Sequence, residues 1–221
     1  FHPLASSGSN CLNCHMPHTT YALFKGIRSH QISSPSLEAS ARHGVPNACN
    51  LCHLDQTLAW TRQHLRERYG TPPQPLTEEQ EKVSAALLWL LKGHAAQRAI
   101  AAWHTGWKPA QETSGADWLA PFTAQLLDDP YGVVRYIAAR SLRTLPRFDT
   151  FDYDFLAPPD NLTQRKETAV AHWQSAWSTL SSADDTRRAD RILLDPQDGF
   201  MRQAAAELLR RRDNRPVVIK E

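Results

Sequence analysis

All four cysteines of the chain fall in two five-residue units, Cys11-Leu12-Asn13-Cys14-His15 and Cys49-Asn50-Leu51-Cys52-His53. C-x-x-C-H is the attachment signature of c-type haem, and each position has a chemical reason. Two thiols three residues apart on one turn reach the two vinyl groups on one porphyrin edge and become thioethers. The His that follows swings under the ring to ligate iron. A bare C-x-x-C is less specific: a thioredoxin-like redox pair needs a strand-to-helix setting, and a zinc site needs two further ligands. The two pairs together could form a four-cysteine zinc site, but such a site gives no reason for a His after each pair or for the further His before residue 54. The expectation is therefore two covalently bound haem c groups, anchored at Cys11, Cys14, Cys49 and Cys52, with His15 and His53 as proximal iron ligands. Haem is attached covalently outside the cytoplasm, so the protein is expected to be exported, periplasmic or extracellular. The sequence begins Phe1-His2-Pro3-Leu4 with neither a basic n-region nor an apolar h-region, which points to a cleaved leader or to a piece of something longer.

The remaining histidines are the candidates for the other iron face. His2 precedes Cys11 by nine residues of loop, enough chain to cross a haem, and His30 has the same freedom between the two units. Both are expected as distal metal ligands, against the plainer role of a surface His near a propionate. His18 is too close to His15 to wrap the same haem but could serve the other, and His43 has room to swing to either. His64 is expected to point away from the second haem, while His94, His104 and His172 read as structural. Met16 directly follows His15 and cannot reach the opposite face, and Met201 belongs to an apolar stripe, so no His/Met haem is expected.

These units must be positioned by a chain of two characters. Residues 1 to about 54 read as loop with short turns, broken by Gly8, Gly26, Gly44, Pro3, Pro17, Pro35 and Pro46, and cannot make a core from their own side chains. Porphyrin faces must supply it. From Asp55 onward helices take over. Asp55 is expected to cap a helix carrying Leu58, Leu65 and Tyr69 and closed by Gly70. Thr77 with Gln80 makes a capping box for a helix through Lys92. Thr71-Pro72-Pro73-Gln74-Pro75 between them reads as a stiff linker. An internal repeat follows: Val133, Val134, Ile137, Ala138, Ser141 and Leu142 share their spacing with Phe200, Met201, Ala204, Ala205, Leu208 and Leu209, and Asp129-Pro130 and Asp195-Pro196 precede the two stripes. Stacked helix-turn-helix units of this kind form α-solenoids. Four aromatics in Phe148 to Phe155 must be buried, which makes that loop a docked crossover, and an extra helix is expected around Ala169 to Leu180. The seven Trp read as helix-packing residues.

Composition narrows the function. The chain has 221 residues, 41% hydrophobic and 22% charged, with a formal net charge of +2. Its longest apolar run, Ala85 to Leu91, falls far short of the roughly 18 residues that span a bilayer, so no membrane span is expected. Without a basic cluster, nucleic acid is not an expected partner. The paired carboxylates Glu78-Glu79 and Asp184-Asp185 sit at polar helix starts and imply no acid catalysis.

The run Cys11-Leu-Asn-Cys-His-Met-Pro17, Thr20-Tyr21, Arg28-Ser29-His30 and Gly44-Val-Pro-Asn-Ala-Cys-Asn-Leu-Cys-His53 resembles bacterial multihaem cytochromes c whose haem region is followed by a HEAT-like or tetratricopeptide helical array. Leu127 to Leu142 is similar to the HEAT-like part of such proteins. The resemblance implies His as both axial ligands, at the matching positions His2 and His30. Such cytochromes often carry additional C-x-x-C-H units upstream, which this chain lacks, so it resembles a C-terminal portion, a separate subunit or a trimmed descendant.

The reading as a whole is a mostly α protein: a loop-rich dihaem cytochrome c region over residues 1–70, then a HEAT-like helical array over residues 77–221. Its expected work is electron transfer rather than catalysis, with redox proteins, other cytochrome subunits or copies of itself as partners. The rival is a haem enzyme subunit with one open haem that reduces a small nitrogen or oxygen species. In the favoured arrangement His2 serves the haem at Cys11 and Cys14, and His30 the one at Cys49 and Cys52.

Overall fold

Short polar side chains start the helices of the first seventy residues. Asn10 caps α1 (Cys11–His15), Ser36 caps α2 (Leu37–His43), Asn47 caps α3 (Ala48–Cys52) and Thr57 caps α4 (Leu58–Tyr69), each accepting a backbone N–H of the first turn. Gly44 and Gly70 close α2 and α4 in the left-handed conformation. Between α1 and α2 runs an antiparallel hairpin of β1 (Thr20–Ala22) and β2 (Lys25–Ile27), with Thr20 opposite Ile27. The computed structural model describes residues 2–22, 24–177, 189–195 and 197–216, and over them the chain is mostly helical.

Two expected helices differ in the structure. Thr57, not Asp55, caps α4; the Asp55 carboxylate is buried and accepts a hydrogen bond from Gln56 Nε2. The helix expected from Thr77 to Lys92 is two helices. The capping box is present and starts α5 (Glu78–Lys82), but Val83 is extended and Ser84 caps a new helix, α6 (Ala85–Leu91). The Ser84 hydroxyl donates to the Leu54 carbonyl and accepts from the Leu87 N–H. The restart turns all seven residues of α6 into the interior.

The rest of the array comprises α7 (Ala95–Thr105), α8 (Lys108–Ser114), α9 (Ala120–Ala124), α10 (Gly132–Leu142), α11 (Pro159–Gln174), the short pair β3 (Leu194–Asp195) and β4 (Gly199–Phe200), and α12 (Arg202–Arg210). Helix α7 lies at the centre, packed between α6 and α10, and the β1–β2 hairpin docks on it. Helix α3 rests on α8, and α12 on α6. The first apolar stripe is an inner face: Val134, Ile137, Ala138, Ser141 and Leu142 of α10 are buried. The second is less regular, because Phe200 sits in β4 and Met201 is exposed before α12 begins. Pro196, Asp184-Asp185 and the end of the helix expected to reach Leu180 lie outside the described residues.

The aromatic crossover is docked. Phe148 and Tyr153 are buried, and Arg135 and Arg143 hold the loop by donating to the carbonyls of Phe155, Phe151 and Tyr153. Leu37, Leu51, Leu54 and Leu58 belong to the same buried cluster as Leu87, Leu90, Ile100, Phe122 and Ile137. The core is thus continuous across residues 70–77. Within it, Arg98 and Asp129 are both fully buried and joined by two bonds of 2.7 and 3.1 Å, and Arg212 adds a third to the same carboxylate at 3.2 Å. Arg98 also donates to the carbonyls of Gly93 and Asp213, which ties α7 to the chain beyond α12.

Candidate haem sites

The first attachment unit is α1 itself. Cys11 and Cys14 stand three residues apart on this single turn, and so lie on one face. Asn13 donates to the Ser7 carbonyl, and the Arg28 guanidinium donates to the carbonyls of Leu12 and Met16 and to Asn13 Oδ1. His15 Nδ1 lies 2.9 Å from the Ser33 carbonyl. A carbonyl only accepts, so Nδ1 carries a proton, and in the neutral ring the lone pair would fall on Nε2, where a metal-ligating His needs it. Ser33 N–H donates back to the His15 carbonyl at 2.9 Å. Cys11 and His15 are exposed, and the segments around them carry Leu4 at 94% and Ile32 at 77% exposure, with Leu12 exposed beside Cys11. Exposed apolar side chains on the segments that flank an attachment turn would suit contact with a porphyrin face.

The second unit is held more deeply. Asn50, between the two cysteines, is fully buried; its Nδ2 donates to the carbonyls of Gln56 and Thr57, and its Oδ1 accepts from Thr61 and Asn47. That network fixes the turn that ends in His53. Cys52 Sγ lies 3.5 Å from the Thr113 hydroxyl of α8. Burial, and then the charge of Cys14, pushes the Cys49 thiol up to about 12, and burial likewise raises Cys14 and Cys52. These are apolar, protonated thiols rather than reactive thiolates. The mutual influence of Cys14, Cys49 and Cys52 reflects the packing of α1 against α3, so the two anchoring turns share one neighbourhood.

Opposite His53 stands His2. Their ring centroids are 6.2 Å apart and their planes 24° from parallel. A metal–imidazole nitrogen bond is about 2 Å, so one metal held by both rings would keep their centroids about 6 Å apart. At that separation both rings would be within reach of one iron if their nitrogens turned toward it. Burial, then the neighbouring His2 and His64, lowers His53 to about 4, so its ring is neutral at pH 7, as ligation requires. Gly8 makes room for the His2 ring: a Cβ there would stand 2.5 Å from His2 Cγ. The favoured sequence arrangement set His2 against the first unit; in the structure its ring neighbours His53 of the second. The segment between His2 and Cys11 packs on α1, where the Ser7 carbonyl accepts from Asn13.

The other histidines are spread out. His30 is exposed, in the strap between β2 and Ser33 that runs beside His15 to Pro17. His43 is exposed at the end of α2. His18 is turned into the array, its ring 4.5 Å from that of Trp103. His64 is separated from His53 by Trp60, whose ring lies 4.7 Å from His53 and 4.3 Å from His64. His94 caps α7, His104 is buried with Nδ1 donating to the Ile100 carbonyl, and His172 bonds the Arg147 carbonyl. Gly8, Arg28, Ser33, Asn50 and Trp60 were not singled out for the site by sequence. Arg28 was noted only as a flank of His30, and Trp60 only as a packing residue. Nothing local marks the others, since each acts across a tertiary contact.

Compared with known proteins, residues 2–120 match the family model for cytochrome c552, which is 119 of the 221 residues and includes both C-x-x-C-H units. No curated protein and no solved structure matches the chain.

Proposed function

Because the chain belongs to the cytochrome c552 family, and is therefore a c-type cytochrome with covalently bound haem c, we propose that it is an exported dihaem electron-transfer module. The observation that carries this reading is the second iron site, where His2 and His53 stand at the separation of two ligands on one metal. A haem held by two His would supply outer-sphere electron transfer and would leave no iron position for a substrate.

In this reading the chain's own residues do the following. Cys49 and Cys52 would anchor one haem, His53 and His2 would hold its iron, and Trp60 packs against His53. Cys11 and Cys14 anchor the other, with His15 locked in the ligating tautomer by Ser33. His30 is the residue assigned to the far face of that iron; its support is the resemblance in sequence and its exposed position on the strap beside His15. The helical array, read as HEAT-like, docks redox proteins, other cytochrome subunits or copies of this chain. Among the described residues no helix is long and apolar enough to cross a membrane.

The test is a carbon monoxide spectrum of the reduced protein. Both haems closed by His leave the ferrous spectrum unshifted. A shift in one haem would instead favour the second reading, an open haem that reduces a small nitrogen or oxygen species, and the exposed site at His15 is where it would fall.

A further inference from the structure

We propose that Arg28 is the positioning residue of the first attachment turn and that its fixed charge sets the reduction potential of the haem held there. The inference rests on the first C-x-x-C-H unit being a haem site, as proposed above.

Helix α1 has only five residues; its Leu12 carbonyl accepts from the Met16 N–H that ends it at 3.0 Å, which leaves a second lone pair free. Arg28 takes up this end of the turn. One guanidinium nitrogen donates to the Leu12 carbonyl at 2.7 Å and the Met16 carbonyl at 3.0 Å, and the other to Asn13 Oδ1 at 2.7 Å. The bonded residues bracket Cys14 and His15 on both sides. A planar fork can hold three acceptors at once; an ammonium on a flexible stem cannot fix the same geometry.

The fork is itself held in place. Arg28 follows β2, where Gly26 lies flat against Trp103 of α7: a Cβ at Gly26 would stand 2.9 Å from Trp103 Cδ2. Ser29 N–H donates to the Pro17 carbonyl at 2.9 Å. The hairpin is thus a bracket that runs from the array to the attachment turn, with Arg28 as its tip.

The charge has a consequence that a structural clamp alone lacks. One-electron reduction of the iron removes one positive charge from the site, so a nearby cation disfavours the ferric form and raises the potential. Taking the cation away lowers it. The second haem, held by the uncharged Asn47, Asn50 and Thr61 network, has no such group in its turn.

The experiment is a spectroelectrochemical titration of the full chain with both haems, for Arg28→Gln, Arg28→Lys and Gly26→Ala. In Arg28→Gln one of the two one-electron components moves to lower potential and the other stays. Arg28→Lys keeps the charge and moves that component less. Gly26→Ala, which displaces the bracket, moves the same component. If Arg28→Gln loses one haem and keeps the other, the clamping role stands and Arg28→Lys carries the test of charge. Two unmoved components, two components that move together, or loss of both haems overturns the inference. An unaltered protein without covalent haem overturns the proposed function as well.

Discussion

Gly8 decides whether His2 can stand where it does. Alanine there puts a methyl carbon within 2.5 Å of the imidazole, so Gly8→Ala is expected to pull His2 off the second iron. The ferric spectrum of the variant should gain a high-spin component from one haem, and that haem should bind carbon monoxide when reduced. An unchanged low-spin spectrum would show that another residue ligates that iron. His30→Ala is expected to do the same to the other haem. The two variants together give both haems high-spin; if they act on the same haem, the pairing drawn from the 6.2 Å contact is wrong. A second residue-scale expectation concerns acid. Burial holds His104 down to about 3 in the folded chain, against 6.5 ordinarily. The unfolded chain binds the extra proton between those values, so the contribution is full above about pH 6.5 and is lost as pH falls toward 3, by at most about 1.4 kcal/mol per pH unit. Denaturant titrations across that range should show the decline, and His104→Asn should flatten it. The two C-x-x-C-H units were legible in the sequence because covalent haem attachment demands a local motif, and the roles proposed for their cysteines and His rest on it. Gly8, Ser33 and Arg28 were not, because what they do depends on which segment lies over them.

Elements were legible where their signals are local. The Thr77 and Gln80 capping box and the Gly70 stop are both present. The break at Val83 was hidden, since the apolar run from Ala85 to Leu91 continues a helical pattern and the reason to restart lies in a carbonyl thirty residues away. Ser84→Ala removes the cap of α6 and leaves the buried Leu54 carbonyl without its partner, for a combined cost of about 2–3 kcal/mol. Chemical denaturation measures it; a change under half a kcal/mol would mean that the restart does not depend on that hydroxyl. Asp129 read as a turn former beside Pro130, yet it is the one carboxylate bonded to both Arg98 and Arg212. Asp129→Asn leaves a fully buried guanidinium without its counter-charge, at about 3–5 kcal/mol. A near-neutral effect would mean that the backbone carbonyls of Gly93 and Asp213 suffice.

On the scale of the whole molecule, mostly helical character was plain from composition and periodicity. The continuity of the core was not. The proline-rich stretch 71–75 has the composition of a linker, but Gln74 accepts a hydrogen bond from Arg62 and Leu76 packs on the core, so it passes between packed segments. Since Leu37, Leu51, Leu54 and Leu58 share one buried cluster with α6, α7 and α10, the full chain is expected to unfold in a single transition, and a fragment beginning at Thr77 to expose that face and lose cooperative unfolding. Two resolved transitions, or a fragment with a sharp transition of its own, would show independent domains. The most direct measurement is the mass of the purified full chain after acid-acetone extraction, taken with its visible spectrum. The polypeptide plus two haem groups, with a Soret band retained, is the expected result. A bare polypeptide mass, a single haem, or bound zinc without Soret absorbance would contradict it.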